Sequence, residues 1–372
     1  MQELKRIINY KRIILLLIAV TVNVVFFLYD NKPVMDEDII NKENVAHETY
    51  IKNYHEEVNA IIDNADKLKK YSIFNKAGSF SYANILQTAR DFERVKNVIL
   101  PEDEYKGVQA YTTYYYQYFF TMLVMMFVIY DMFAQRDNGM WSITYSCANG
   151  RIMYAIKQTG VIVVTGAFTH TLIYWSTFIA AMLQRGGVRD LVNPVQTIET
   201  FDKFTYPWSK IKYVTVLYLI SMVCIVALCI TIWGVFVMFR NRVYALVTML
   251  IFAAVEQFIY SHIDIHSVWN GLHYINIINI ININATFSSY RNWGVGTYVF
   301  PVFSVVLFVH IICAGVIGYI AINVSASMKP YKNTTFIKRF TDCVSAGCQK
   351  ILARIPLLVK EMHKFIFTTH CG

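Results

Sequence analysis

The chain reads as an all-α polytopic membrane protein with six transmembrane helices, and three observations predict it. Its 372 residues are 56% hydrophobic and only 16% charged, against about 25% charged in an ordinary soluble domain. Mean hydropathy is +0.39. The apolar residues gather in six runs, 13–29, 115–132, 159–182, 214–239, 244–262 and 298–322, and none alternates with the period of two that a membrane β-barrel strand needs. Each run has the length that a helix rising about 1.5 Å per residue needs to cross roughly 30 Å of hydrocarbon.

The basic residues give the first span its orientation. Lys5, Arg6, Lys11 and Arg12 precede it, and Arg136, Arg151 and Lys157 lie between the second and third spans. Arg240 and Arg242 separate the fourth from the fifth, and the 324–372 tail carries eight Lys and Arg against Asp342 and Glu361. The positive-inside rule places all of these, and both termini, in the cytoplasm. Segment 30–111 then faces outward with 15 acids against 11 Lys plus Arg, a sum of −4, while the remainder carries +13. The net +9 is a topological signature rather than a nucleic-acid footprint. Five further spans and no small-residue cleavage site after Tyr29 argue against a cleaved secretory signal at the N-terminus. Cys224, Cys229 and Cys313 fall in spans, and Cys147, Cys343, Cys348 and Cys371 in cytoplasmic segments, so no exterior disulfide is expected.

Between the first two spans, residues 43–71 contain no Gly or Pro and place Val45, Tyr50, Ile51, Tyr54, Val58, Ile61 and Ile62 near one helical face. A second helix is expected over 82–98, with a turn at 75–79, making an exterior helical hairpin that either caps the bundle or binds a substrate or partner. Tyr111, Tyr114, Tyr115, Tyr116 and Tyr118 read as an aromatic anchor at the outer leaflet. A loop follows at 183–213. In 263–297, Asn276, Asn279 and Asn282 form an i, i+3, i+6 stripe on an Ile-rich stretch, which suits a short re-entrant helix against the bundle. The basic amphipathic tail, 324–372, suits the anionic inner leaflet.

Little of this carries chemistry. There is no Gly-Lys pair, hence no phosphate-binding loop of the GxxxxGK[ST] type, and no GxSxG, HExxH or CxxC. No catalytic residue and no metal site is expected; His262, Asp264 and His266 lack a third strong ligand nearby and read as interfacial polar residues. Glu256 is the one acid deep in a span, where leaving it charged in lipid costs on the order of 2.5–3.5 kcal/mol. It is expected to face the bundle, water or a partner, as a structural group or as part of a translocation path.

Segment 133–157 is the most informative. Phe133, Ala134, Gln135, Arg136, Asp137 and Gly139, then Gly150, Arg151 and Lys157, resemble the pattern Phe-Ala-x-Glu-x-Glu-x-Gly, short helix, Ser-Arg and Lys that follows the second span in permease subunits of ATP-binding-cassette exporters. Gln135 stands where that pattern has its first acid. The whole layout is similar to the permeases of bacterial antibiotic, peptide and sodium efflux systems: a basic membrane-surface helix at 1–12, a large exterior domain after the first span, six spans and a dipping segment before the last. The loop at 194–209 is similar to theirs as well.

The resemblance implies that a separate ATPase subunit, which binds ATP and Mg, docks on 133–157 through Phe133, Gln135, Arg136, Asp137, Gly139, Arg151 and Lys157. It further implies a pairing with a second copy or a related permease in the cell membrane, and export of an amphipathic peptide or drug. A non-transporting sensor or scaffold, using the exterior hairpin to bind a ligand, is the alternative.

Overall fold

The computed structural model describes residues 10–33, 36–71, 76, 78–101, 106–137, 150–239, 241–263 and 269–326. Gly139, residues 1–9 of the surface helix expected at 1–12, Asp264, His266 and the tail beyond residue 326 lie outside them, as do Cys147, Cys343, Cys348 and Cys371. The described residues are mostly helical, and six helices are long and apolar enough to cross a membrane. These are α1 (Tyr10–Asp30), α5 (Tyr116–Asp137), α6 (Gly150–Arg185), α7 (Lys210–Met238), α8 (Arg242–His262) and α12 (Val302–Ala326).

Side-chain ties show how the six alternate. Arg12, near the start of α1, makes an ion pair with Asp131 near the end of α5, its Nε donating over 3.1 Å. Arg136 of α5 donates to the Phe236 carbonyl near the end of α7 at 3.0 Å, and Arg242 at the start of α8 lies over the Tyr130 ring. These contacts define one basic end. At the opposite end Arg185, closing α6, donates to the Asn31 and Lys32 carbonyls just past α1.

Helix α7 is the axis of the bundle: 61% of its most apolar window is buried, against 17% for α1 and 11% for α8. Close backbone approach holds it to α12. A Cβ on Gly234 would sit 2.4 Å from Ile317 Cγ2, and one on Gly318 would sit 3.0 Å from Ile230 Cγ2. Small residues are what permit such approach where no hydrophobic effect drives helices together in lipid.

Between α1 and α5 stand α2 (Glu37–Leu68), α3 (Phe80–Glu93) and the short α4 (Gly107–Thr113). Asp36 caps α2 by accepting from the Asp38 amide, and Ser79 caps α3 by accepting from the Tyr82 amide. Asp36 explains why α2 begins six residues before the periodicity predicts. Helix α3 closes at Glu93, short of the expected 98, in tight turns through Val95 and Val98. Tyr54 and Val58 of α2 meet Phe92 of α3 and Val95 just past its end in a small core of their own.

The segment before the last span departs furthest from expectation. It holds α9 (Asn270–Ile275), α10 (Ile278–Ile281) and α11 (Ile283–Ser288), then β1 (Asn292–Val295) and β2 (Tyr298–Pro301). The strands pair antiparallel, Val295 opposite Tyr298, and Gly296 opens the two-residue loop at φ +63°, as hairpins of this size require. The last span therefore starts at Val302 rather than 298, because Tyr298–Pro301 is apolar enough to read as helix but pairs as strand. The asparagine stripe is likewise not one helix. Asn276 and Asn282 sit at the breaks between three short ones, where asparagine side chains compete for backbone groups.

The connection from α6 to α7 folds as 3-10 turns at Arg189–Val192, Val195–Thr197 and Glu199–Phe201. Gln196 pins it by donating to the Phe204 and Tyr206 carbonyls at 3.0 and 2.7 Å. Tyr50 of α2 donates in turn to the Gln196 carbonyl at 2.8 Å, so α2 stands on this platform. Beside it, burial and the positive charges of Lys106 and Lys210 hold His47 below its ordinary pKa.

Candidate functional site

Helix α6 carries His170, Tyr174 and Thr177 at i, i+4 and i+7, one face of the helix. That face turns inward, and all three are buried. Thr177 accepts from Asn23 Nδ2 of α1 at 2.7 Å. Tyr114 closes the triangle, its hydroxyl 3.1 Å from Asn23 Oδ1. Tyr174 donates to the Val214 carbonyl of α7 at 2.7 Å. The His170 ring lies between those of Tyr118 and Tyr218, each with its centroid 5.9 Å away.

His170 Nε2 is 2.8 Å from Ser221 Oγ. Ser221 itself donates to the Tyr218 carbonyl at 3.0 Å, which leaves its Oγ as acceptor for an Nε2–H of His170. Among the described residues the buried Nδ1 has no hydrogen-bond partner. This is not a nucleophilic dyad: the serine hydroxyl is directed at a carbonyl, and among the described residues no carboxylate orients the ring.

The polar groups continue toward the end of the bundle that carries α2 and α3. Tyr213 donates to Asn284 Oδ1 at 2.7 Å, and Asn284 Nδ2 donates to the Thr112 carbonyl at 2.7 Å. From Tyr213 to Ser221 the seam runs about 12 Å along α7. It thus reaches from the rim toward the middle of a roughly 30 Å hydrocarbon layer. Hydroxyls, an amide pair and an imidazole in such a place can bind hydrogen-bonding and aromatic groups.

Of the residues expected to matter, Glu256 is placed informatively. Its Oε2 accepts from the Ile277 amide at 3.0 Å, and its own carbonyl accepts from Asn276 Nδ2 at 2.7 Å. Asn276 Oδ1 also accepts from the Ile278 amide at 2.7 Å. Glu256 therefore clasps the break between α9 and α10 to α8. His310 of α12, buried and bonded through Nδ1 to the Val306 carbonyl at 2.7 Å, has Glu256 and the Ile275 carbonyl as neighbours. Asn279 is buried in α10, and Asn282 is half-buried at the next break.

The segment expected to dock a partner divides. Phe133 is fully buried against Phe236, ring centroids 5.6 Å apart, and Arg136 stacks on Phe133 while bonding the end of α7. Both serve the bundle. Arg151 is half-buried and Lys157 exposed on the first turns of α6; the backbone places Gln135 and Asp137 in the last turn of α5. His262 bonds its own helix at the Phe258 carbonyl, 3.0 Å away.

The tyrosines expected to anchor the chain in lipid divide, with Tyr116 half-buried. Tyr111, Tyr114 and Tyr118 are buried, and only Tyr115 of the cluster is exposed. Sequence reasoning passed over His170, Ser221 and Asn284. The available signal was polar residues recurring at helical spacing within spans, since an intramembrane ionisable residue is a functional hypothesis by default. No family model matches the chain, nor does any curated protein or solved structure.

Proposed function

We propose that the chain is the membrane subunit of an ATP-driven exporter of the ATP-binding-cassette class, moving an amphipathic peptide or drug outward through a bacterial cell membrane. ATP and Mg belong to a separate ATPase subunit in this reading, both termini are cytoplasmic, and a second copy or related permease completes the transporter. The observation that carries it is the unbroken helix α6. Its 36 residues span about 54 Å, well beyond roughly 30 Å of hydrocarbon. The overhang holds Arg151 and Lys157 at the basic end, and the same helix carries His170, Tyr174 and Thr177 in the polar seam. A push on its first turns reaches the seam through rigid backbone.

The reading is tested with substitutions at Gly139 and Arg151 in the assembled complex. Substrate-stimulated ATP hydrolysis should fall severalfold while the thermal unfolding of the permease is unchanged. Arg136→Ala should behave oppositely and lower the unfolding temperature, because Arg136 serves the α5–α7 contact. Unchanged coupling in the Gly139 and Arg151 variants overturns the docking assignment.

The separate small core of α2 and α3 favours one other reading, a non-transporting sensor or scaffold that binds a ligand through that unit. Ligand binding by the chain in cells from which no ATPase co-purifies would select it.

A further inference from the structure

The hairpin of β1 and β2 has two unlike faces. Gly294 meets α3: a Cβ there would lie 1.9 Å from Phe80 Cδ2. Asn292 Nδ2, on the same face, donates to Asn84 Oδ1 at 2.9 Å. Just before the strand, Tyr290 donates to Asp91 at 3.0 Å. The other face shows Trp293 and Phe300, which are cross-strand partners, and Tyr298, which stacks on Phe300. These three uncharged aromatic side chains are 45%, 44% and 71% exposed, whereas Asn292, Gly294 and Val299 on the opposite face are half-buried.

What covers them follows from where the hairpin ends. Pro301 is followed directly by Val302, the first residue of the 25-residue apolar helix α12, and the Val302 amide donates to the Arg291 carbonyl at 2.9 Å. The hairpin therefore has no linker by which to leave the end of the span. At about 3.3 Å per residue, Phe300 and its partner Trp293 stand at most about 7 Å beyond the first turn of α12, and Tyr298 about 13 Å. The polar layer on each side of the hydrocarbon is about 5–8 Å thick. On α12, Phe308, Ile312, Val316 and Tyr319 are exposed and recur at i, i+4, i+8 and i+11, a single helical stripe that lipid must cover.

We propose that the aromatic face of this hairpin docks on the bilayer itself, with Trp293 and Phe300 at the headgroup–hydrocarbon boundary and Tyr298 at its outer rim. Trp and Tyr, whose apolar rings carry a polar edge, partition to that depth, and Phe300 follows its cross-strand partner Trp293. Because the opposite face grips α3 through Gly294, Asn292 and Tyr290, the hairpin fixes the α2–α3 unit to the membrane surface. The inference requires only that α12 crosses the bilayer and is independent of what the chain transports.

The test uses the unmodified full-length chain in nanodiscs of phosphatidylcholine and phosphatidylglycerol that include a phosphatidylcholine with a diazirine near the top of one acyl chain. After illumination, adducts are mapped by mass spectrometry. Adducts are expected on Trp293 and Phe300, at a yield at least severalfold above that on Tyr298, with none on the exposed residues of α2. Adducts on Phe308 and its stripe report that α12 is embedded. Labelling of α12 without labelling of 293–300 overturns the proposal, whether water or another protein covers that face. So does labelling of Tyr298 above Phe300, which would invert the depth order.

Discussion

Ser221 decides how His170 sits. With its hydroxyl committed to the Tyr218 carbonyl, it is the acceptor for an Nε2–H of the buried imidazole. Ser221→Ala leaves that donor buried and unpaired, which costs on the order of 1–3 kcal/mol. The unfolding temperature of the chain in nanodiscs should fall accordingly, and an unchanged value would contradict the hydrogen bond assigned here. Glu256 offers a sharper contrast. Glu256→Gln keeps an oxygen that can accept from the Ile277 amide, whereas Glu256→Ala removes it. Hydrogen exchange at the Ile277 amide should accelerate roughly tenfold or more in the alanine variant and little in the glutamine one. Equal effects would mean that charge rather than the hydrogen bond holds the clasp.

His47 carries the pH dependence of the platform under α2. Its folded pKa lies below the ordinary value of 6.5, so the folded state binds the proton less well than the unfolded chain does. Stability from this group is complete above pH 6.5 and is lost as the pH falls through that window. Hydrogen exchange around Tyr50 and Gln196 should therefore rise on acidification below 6.5, and His47→Phe should flatten the profile. At the alkaline side burial pushes Tyr290 up to about 12. The unfolded tyrosine ionises near 10, so the contact between Tyr290 and α3 weakens as the pH rises from about 10 to 12.

Among the elements, two glycines fix the packing and can be challenged directly. Gly234→Ala drives a methyl into Ile317 across the α7–α12 contact and should destabilise the bundle by about 1–3 kcal/mol. Ile317→Ala, which removes the Cγ2 methyl from the same contact, should cost less in the Gly234→Ala background than in the unaltered chain. Additive losses would mean that the two side chains do not share the space described. All six long apolar helices were legible from length and hydropathy, because a helix able to cross a bilayer needs about 20 consecutive apolar residues. Their ends were legible only to within a few residues, since caps such as Asp36 and strand pairing at Tyr298–Pro301 depend on neighbours brought in by the fold. The tyrosines at 111–118 show the limit most clearly. A ring with a hydroxyl suits a lipid boundary and a polar seam equally, and only the approach of Asn23, His170 and Tyr174 decides for the seam.

The molecule as a whole joins a basic end, a polar seam and a unit of two helices standing on the 3-10 platform. Phe133 and Arg136 were legible as important but not as structural, because a sequence motif does not tell a side chain that faces a partner from one that faces the next helix. His170 escaped notice because one histidine among threonines carries little weight without the serine that α7 brings to it. The central claim is that this assembly is driven from outside by an ATPase, and one measurement tests it most directly. The tagged chain is recovered from its native cells in mild detergent, its partners are identified by mass spectrometry, and the eluate is assayed for ATP hydrolysis. The account predicts a co-purifying ATPase with a phosphate-binding loop, and its stimulation by substrate should be lost when Gly139 and Arg151 are substituted. Recovery of the chain alone, under conditions that keep a known transporter of this class intact, would contradict it.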